Sequence, residues 1–517
     1  VKKRAFLLAP VALSIVVLVA LWFTGRAQNP GPLGFRLDDA WIHLVYGRGL
    51  LENGYLAYND RVPSSGCTSP LWALCLAVLH AAFGGSVDAI VRAVILAGAA
   101  LHVATVAAGG SLAERVTRSR LAGGAAGALI ALATPWAAAS FSGMEVALTG
   151  LLLVLALRAL TARAWRTAGL WLALAGLARP EVAAVTMLAA LFAIRRGSDA
   201  LRRVAAPSVL AAAAIAAHHL WASGSPLPST FLAKTSTDPE ALPGRVATAV
   251  GELLARVPPL TAGIGWIAAL GLAGRDVRAA VPRALPFLAG VAFLLANLLV
   301  LDPVDPAAFY HLRYVLPAVP LLLVGLAIGA HQLGARLGRA AAAPLAALLL
   351  LSAIEAAATI GPESRHFHGD VRNINEVQRR IGEWLGAQVP AGRWIAASDA
   401  GAIRYFSRLP TIDVLGLNTP EMLRGSESFV REHPVEAIAL MPAWFRAEGD
   451  ALEGVFRAQT SDYRVTSNPS MATQIVARAK PGGAGDPPAV RVRFVGYRSF
   501  ELDFRRPIAA ATPGGAP

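Results

Sequence analysis

Residues 36–70 read RLDDAWIHLVYGRGLLENGYLAYNDRVPSSGCTSP, a polar stretch that follows an apolar run ending at Thr24. If the apolar runs around it cross a membrane, this stretch is a loop lying just outside one. Asp38 and Asp39 stand near its start, close to the bilayer surface, where a carboxylate can take a proton from a hydroxyl. Ala40 to Leu51 then sets Trp41, Leu44, Val45 and Leu51 on one broad arc, with His43, Arg48 and Glu52 largely elsewhere. That is the pattern of a short amphipathic helix lying in the interface. A plainer alternative gives the two aspartates only the task of starting that helix, as a cap and a negative first turn.

Working outward, the composition demands the membrane. Apolar residues make up 55% of 517, more than a water-facing surface accommodates. Apolar runs recur near residues 5–24, 88–108, 121–139, 145–161, 167–178, 181–194, 204–222, 258–274, 284–301, 315–331 and 340–359, about eleven membrane segments. The opening VKKR and its run resemble a signal peptide, but no A-x-A site follows, so an uncleaved first span is expected. The net charge of +14 resides in basic clusters at alternate connections: KKR, ERVTRSR, RALTARAWR, RRGSDALRR, RDVRAAVPR and GARLGR. These mark cytoplasmic loops by the positive-inside rule, so the charge reports topology and not a nucleic-acid partner.

Two pieces are too short for simple crossings. Leu71 to Phe83 is apolar but about half of span length, and is expected to be re-entrant or interfacial. The runs 167–178 and 181–194 predict a hairpin whose charged turn, Arg179-Pro180-Glu181, lines a polar cavity. Beyond residue 360 hydropathy drops. Arg365 to Gln388 predicts a helix with Ile374, Val377, Ile381, Trp384 and Leu385 on one face, and WIAAS, TIDVLGL, VEAIALM, TQIVARA and VRVRFVGY predict strands. The expected organisation is a membrane domain over 1–360, with its first outer loop at 25–70, a soluble α/β domain over 361–505, and a disordered tail at 506–517.

The loops opposite the basic ones share a property: each carries ionisable groups. Glu145 lies in SGMEV, Arg179 and Glu181 in ARPE, Lys234 in PLPSTFLAKT, and His311 and Arg313 in FYHLRY. Charges at bilayer depth are costly and therefore candidate functional groups. Cations beside an acid pair suit an anionic headgroup and a hydroxyl to be deprotonated, such as a lipid phosphate and an acceptor. Two structural alternatives stand beside this. Arg179 and Glu181 can staple their own hairpin, and Lys234, His311 and Arg313 can snorkel to headgroups. The two cysteines, Cys67 and Cys75, imply neither a disulfide framework nor a metal site, and there is no Gly-rich phosphate loop, HExxH or CxxC motif.

The ordered motifs LDDAWIHLVYGRGL, YNDRVPSSGCTSPLW, SGMEV, ARPE, PLPSTFLAK, LRYVLP and TIDVLGLNTPEM resemble the polyprenyl-phosphate-sugar-dependent glycosyltransferases of the GT-C superfamily. The closest pattern is the bacterial group that includes the mycobacterial terminal arabinofuranosyltransferases. The resemblance runs from the first span to about residue 422. It implies a multi-span enzyme of the bacterial cytoplasmic membrane with an extracytoplasmic active site and a lipid-phosphate-linked sugar donor. By position, Asp38 and Asp39 match the catalytic pair, Glu145 the acid of SGLE, Arg179 and Glu181 the RPE, Lys234 the lysine after PxT, and Arg313 the arginine before a late span. Met144 stands where Leu is usual, and Ser229 where Asn or Gly is. Some members hold a divalent metal between acid and phosphate, a role open to Asp38 with Asp39; no other cofactor is implied.

The expectation is an inverting glycosyl transfer, of the EC 2.4 class, to a glycan, lipid or protein hydroxyl in envelope assembly. One aspartate serves as base, and Lys234, Arg313 or Arg179 binds the donor phosphate. A transporter or flippase for an anionic lipid is the rival, since it too needs mixed charge in an outer cavity. Against it, the chain shows no internal repeat pairing.

Overall fold

A computed structural model describes residues 6–234, 242–263, 277–300, 311–447, 451–461, 471–480, 489–494 and 499–505. The tail 506–517 and most of the run expected at 258–274 lie outside the described residues.

Helices α1 (Leu8–Arg26), α2 (Asp38–Asn53), α3 (Pro70–Phe83), α4 (Val87–Thr117), α5 (Arg120–Leu132), α6 (Thr134–Ala139), α7 (Val146–Thr161), α8 (Trp165–Ala178), α9 (Val182–Ile194) and α10 (Ser198–Ser223) form the first part of a bundle. After the short α11 (Ser229–Lys234) come α12 (Leu242–Arg256), α13 (Val277–Val300), α14 (Val319–Arg336) and α15 (Ala343–Ile374). Six helical stretches among the described residues are long and apolar enough to span a bilayer, and α3, α5, α7 and α9 are shorter apolar helices. Many present bare apolar faces outward: Ile15, Val16 and Phe23 on α1, Leu96 on α4, Ile194 on α9, Leu210 on α10, Leu350 on α15. Contiguous exposure of this kind marks a lipid-facing surface. The chain is a polytopic α-helical membrane protein with a strand-containing C-terminal domain.

The centre of the bundle is α14, buried continuously from Val319 to Ala330. Helix α4 crosses close to the turn that follows α6, because Gly98 has no side chain: a Cβ there would sit 1.8 Å from the carbonyl oxygen of Ser140. That approach seats the 140–145 turn, with Glu145 at its end. The α8–α9 hairpin turns at residues 179–181, as expected.

Helix α2 departs from expectation. An interfacial helix buries one stripe, but α2 buries Ala40, Trp41, His43, Leu44, Val45, Tyr46, Gly47 and Gly49, leaving Leu51 exposed. It is enclosed between α3 and the C-terminal domain, and Trp41 packs at 5.0 and 4.8 Å from the rings of Tyr405 and Phe406. Neither aspartate caps it: Leu37 holds the cap position, with Asp38 and Asp39 in the first turn.

No break occurs at residue 360. Helix α15 carries Pro362 inside it and passes through a π-helical turn at residues 375–379 into α16 (Arg380–Gln388). The expected last span and the expected helix from Arg365 are therefore one rod. Its C-terminal half docks on α1: Ser364 Oγ accepts the Gly25 N–H at 2.6 Å and donates to the Leu21 carbonyl, and His368 Nε2 lies 2.8 Å from the Trp22 carbonyl.

After α2, β1 (Ala57–Asn59) and β2 (Val62–Pro63) pair antiparallel. Within the C-terminal domain, β3 (Trp394–Ala397) pairs in parallel with β4 (Thr411–Asp413) and β5 (Val435–Leu440); β8 (Thr473–Ala479) and β7 (Leu452–Gln459) extend that sheet antiparallel. A second sheet joins β6 (Phe445–Ala447), β9 (Ala489–Phe494) and β10 (Ser499–Asp503). Successive β3 residues face opposite ways, as a pleated strand requires. Ile395 and Ala397 pack with Val377, Ile381 and Leu385 from the rod, while Ala396 joins the cluster of Ile412, Ile438 and Val435. A short helix, α17 (Ala402–Ser407), follows β3 and turns back onto α2.

Candidate active site

One cavity of about 620 Å³ gathers most of the residues singled out above. Asp39, Glu145, Arg179, Glu181 and Arg313 all line it. Asp38 and His311 do not. Lys234 ends α11, but its side chain lies outside the described residues.

The aspartate pair is split. Successive helical residues point about 100° apart, and here they serve two different elements. Asp39 faces the cavity and pairs with Arg313 Nη2, which also donates to the Tyr314 hydroxyl at 2.7 Å. Asp38 turns away into the C-terminal domain, 4% exposed, where its two oxygens accept the backbone N–H groups of Gly401 (2.6 Å) and Ala402 (2.7 Å). Only glycine fits at 401, since a Cβ would sit 2.1 Å from the Asp38 carbonyl oxygen. Further bonds rivet the same joint: the Tyr58 hydroxyl donates to the Ala400 carbonyl at 2.6 Å, and Asn59 exchanges bonds with the Thr411 backbone at 3.0 and 2.9 Å.

Asp399 stands behind Asp38 and accepts from Gln378 at 2.6 Å and Gln474 at 3.2 Å. Burial and the facing carboxylate push Asp38 up, and burial pushes Asp399 up to about 6 from its ordinary 3.8. The folded chain thus retains a proton here that the unfolded chain releases above its ordinary carboxylate range. Stability from this joint is present at low pH and lost as pH rises through about 6. Thermal unfolding of the purified protein is expected to show a lower midpoint near pH 8 than near pH 5, and Asp399→Asn, which needs no proton, should flatten that difference.

Arg179 is bonded on all three of its nitrogens. Nε and Nη2 grip Glu181 at 3.2 and 2.7 Å, Nη1 donates to Glu145 at 2.8 Å, and Nη2 reaches Asn297 Oδ1 on α13 at 3.2 Å. His43 Nε2 lies 3.3 Å from the other Glu145 oxygen. Arg179 staples the hairpin, the structural alternative raised from the sequence, and also ties it to α7 and α13. The guanidiniums of Arg179 and Arg313 lie 5.0 and 4.7 Å from the centroid of the Tyr314 ring. Two guanidiniums thus share one aromatic ring in the cavity wall, each also paired with carboxylate: Arg179 with Glu145 and Glu181, Arg313 with Asp39.

His311 belongs elsewhere. Its Nε2 lies 3.4 Å from Asp370 Oδ2, an oxygen that also receives Arg36 Nη2 at 3.2 Å, while Arg36 Nη1 bonds Glu363 at 2.8 Å. This buried cluster links the strand of chain before Asp38, the turn before Arg313 and helix α15. His311 is a tether for that turn and not a lining group.

Several cavity residues carried no sequence signal of their own. Tyr46, Cys67 and Thr68 lie within the opening stretch, and Leu417 and Asn418 within TIDVLGLNTPEM; Thr230 and Tyr314 each sit beside a residue or motif already noted. Burial pushes the Cys67 thiol up to about 12, so it stays a neutral wall residue. A metal shared by Asp38 and Asp39 does not fit: Asp38 has both oxygens committed to backbone N–H groups, and among the described residues no three His, Cys, Asp or Glu are grouped to hold an ion. The rest of the wall is apolar, formed by Ala184, Met187 and Leu191 on α9 and Ala292, Leu295 and Leu299 on α13.

Residues 371–487 match the model of a domain of unknown function (DUF8728). No curated protein matches the chain. Among solved structures, ArnT from Cupriavidus metallidurans bound to undecaprenyl phosphate is 13% identical with a TM-score of 0.58, over 90% of this chain and 97% of that one. ArnT in the apo state is 13% identical with a TM-score of 0.57, over 92% and 98%. The Archaeoglobus fulgidus oligosaccharyltransferase in complex with Zn and sulfate is 12% identical with a TM-score of 0.50, over 83% and 67%. The chain shares the fold of these solved structures.

Proposed function

We propose that this chain is an inverting glycosyltransferase that moves a sugar from a polyprenyl-phosphate donor to an acceptor hydroxyl on the outer side of the cytoplasmic membrane. The observation that carries the reading is a cavity in which Asp39 meets Arg313 beside an apolar slot between α9 and α13. A polyprenyl chain would lie in that slot, with its phosphate at Arg313 and the edge of Arg179. The acceptor hydroxyl gives its proton to Asp39, its oxygen forms the new bond to the anomeric carbon, and the bond from that carbon to the phosphate oxygen breaks. The electron pair leaves with the polyprenyl phosphate, whose charge the two guanidiniums offset in a poorly hydrated site.

Asp39 and Arg313 are coupled in this scheme. In the free protein the guanidinium holds the carboxylate in an ion pair. A donor phosphate competes for Arg313, which releases Asp39 to meet the acceptor hydroxyl when the donor is present. Asp38 is a positioning residue, holding α2 against the C-terminal domain. The ArnT structure was solved with undecaprenyl phosphate, which supports a lipid-phosphate ligand for this cavity. The sequence resemblance makes a polyprenyl-phosphate arabinofuranose the first donor to try. Lys234 remains a proposed phosphate ligand on its position after the PxT loop.

The test is binding and turnover by the purified protein. Arg313→Ala is expected to weaken undecaprenyl-phosphate binding by roughly 1 to 3 kcal/mol, the scale of a lost charge-assisted hydrogen bond. Unchanged binding would move the phosphate site away from Arg313. A flippase would move a lipid-linked sugar across liposomes without forming a glycoside, so product analysis separates the two readings. A reporter active only outside the cytoplasm, fused after Gln388, checks the side.

A further inference from the structure

The cavity has a third wall that the reaction above does not use. Residues 66–68, the first turn of α11 and residues 417–418 meet there, and hydrogen bonds lock them together. Ser229 N donates to the Ser65 carbonyl at 3.3 Å, and Ser229 Oγ donates to the Leu417 carbonyl at 2.6 Å. Asn418 is clamped from two sides: its Nδ2 and backbone N–H donate to Asp413 Oδ2 at 2.8 and 2.9 Å, and its Oδ1 accepts the Tyr46 hydroxyl at 2.9 Å. One N–H and one lone pair of the carboxamide remain after those bonds.

Beside it, Thr230 lines the cavity, 9% exposed, and its hydroxyl oxygen is buried with no hydrogen-bond partner among the described residues. Leaving a buried hydroxyl unpaired costs about 1 to 3 kcal/mol, which a ligand hydroxyl would recover once the Thr230 side chain turns toward it. This wall offers a hydroxyl from Thr230, another from Thr68 and the fixed amide of Asn418, all neutral. The charged groups that line the cavity, Asp39, Glu145, Arg179, Glu181 and Arg313, are on other elements and engaged in ion pairs.

We propose that Thr68, Thr230 and Asn418 form a subsite for the hydroxyls of an uncharged sugar, with Asn418 presented by the C-terminal domain. It rests on the glycosyltransferase reading and extends it in two ways. The sugar is a neutral pentose or hexose: an amino sugar would bring a cation to a wall with no carboxylate, and a uronic acid would bring an anion to one with no cation. The domain of unknown function also acquires a role, as a wall of the site held in register through Asp413, Tyr46 and Asp38. Neutral polar recognition discriminates because a site built for hydroxyls leaves its own groups unpaired when they are absent.

The experiment compares dissociation constants of the full-length protein for bare undecaprenyl phosphate and for undecaprenyl phosphate carrying arabinofuranose, mannose or glucosamine. Wild type is expected to bind one of the neutral sugar lipids at least about tenfold more tightly than the bare lipid, a gain of about 1.4 kcal/mol. Thr230→Val, which conserves volume, and Asn418→Ala should each lose most of that gain with bare-lipid affinity unchanged, and Thr230→Ser should restore it. A gain that survives both Thr230→Val and Asn418→Ala, a preference for glucosamine, or no gain from any sugar overturns the subsite while leaving the phosphate site standing. Failure to bind bare undecaprenyl phosphate overturns the glycosyltransferase reading itself, and the subsite with it.

Discussion

Asp39→Asn is expected to lower turnover by about a hundredfold to ten-thousandfold, the loss typical of removing a positioned base, while leaving the fold intact. Asparagine keeps the size of the side chain and can still accept from Arg313 Nη2, so the wall of the cavity survives. It cannot take the acceptor proton. Asp38→Asn makes the informative contrast, because the two residues are neighbours in sequence and are separated in space. An amide at 38 has one oxygen for the two backbone N–H groups of Gly401 and Ala402, and its NH2 would face one of them. Its defect should appear as faster proteolysis of the C-terminal domain and a lower unfolding midpoint, with residual turnover tracking the folded fraction. Near-normal turnover of Asp39→Asn would remove Asp39 from the chemistry, and a clean catalytic loss in a fully stable Asp38→Asn would reverse the assignment.

Arg179→Ala should be the most destabilising single change in the cavity. The substitution leaves Glu145 and Glu181 facing each other without their cation, in positions 2% and about a tenth exposed. Breaking a buried ion pair by removing one partner costs about 3 to 5 kcal/mol, because the remaining charge stays desolvated. The hairpin also loses its bond to Asn297 on α13. Arg179→Lys should rescue little, since one ammonium cannot reproduce a fork that grips Glu181 with two nitrogens and Glu145 with a third. The measurement is thermal unfolding in detergent: a midpoint equal to wild type in Arg179→Ala would mean the network contributes no net stability. The double variant Arg179→Ala with Glu145→Gln should recover part of the loss.

Much of this was legible in the residues alone. Span-length apolar runs, the basic alternate connections and the strand-like segments after residue 360 are local properties, set by hydropathy and period over windows of a few turns. The helix–turn–helix around Arg179-Pro180-Glu181 and the strands at 394–397, 411–413, 435–440 and 473–479 were readable for the same reason. Five of the charged residues singled out in the loops share one cavity, because a charge near the bilayer has few places to go other than a polar interior.

What only the tertiary structure decided depends on direction and on partners distant in the chain. Sequence spacing says that Asp38 and Asp39 diverge; it cannot say which one meets Arg313, some 270 residues away, and which meets the backbone of Gly401. The continuity of the rod through residue 360 was hidden because a fall in hydropathy marks where a helix leaves lipid, not where it ends, and helical hydrogen bonds are indifferent to that boundary. The enclosure of α2, the capture of His311 by Asp370 and the place of Asn418 in the cavity wall follow from contacts between segments far apart in sequence. Such contacts are chosen by shape and by the need to pair every buried polar group, and neither leaves a periodic trace in the chain.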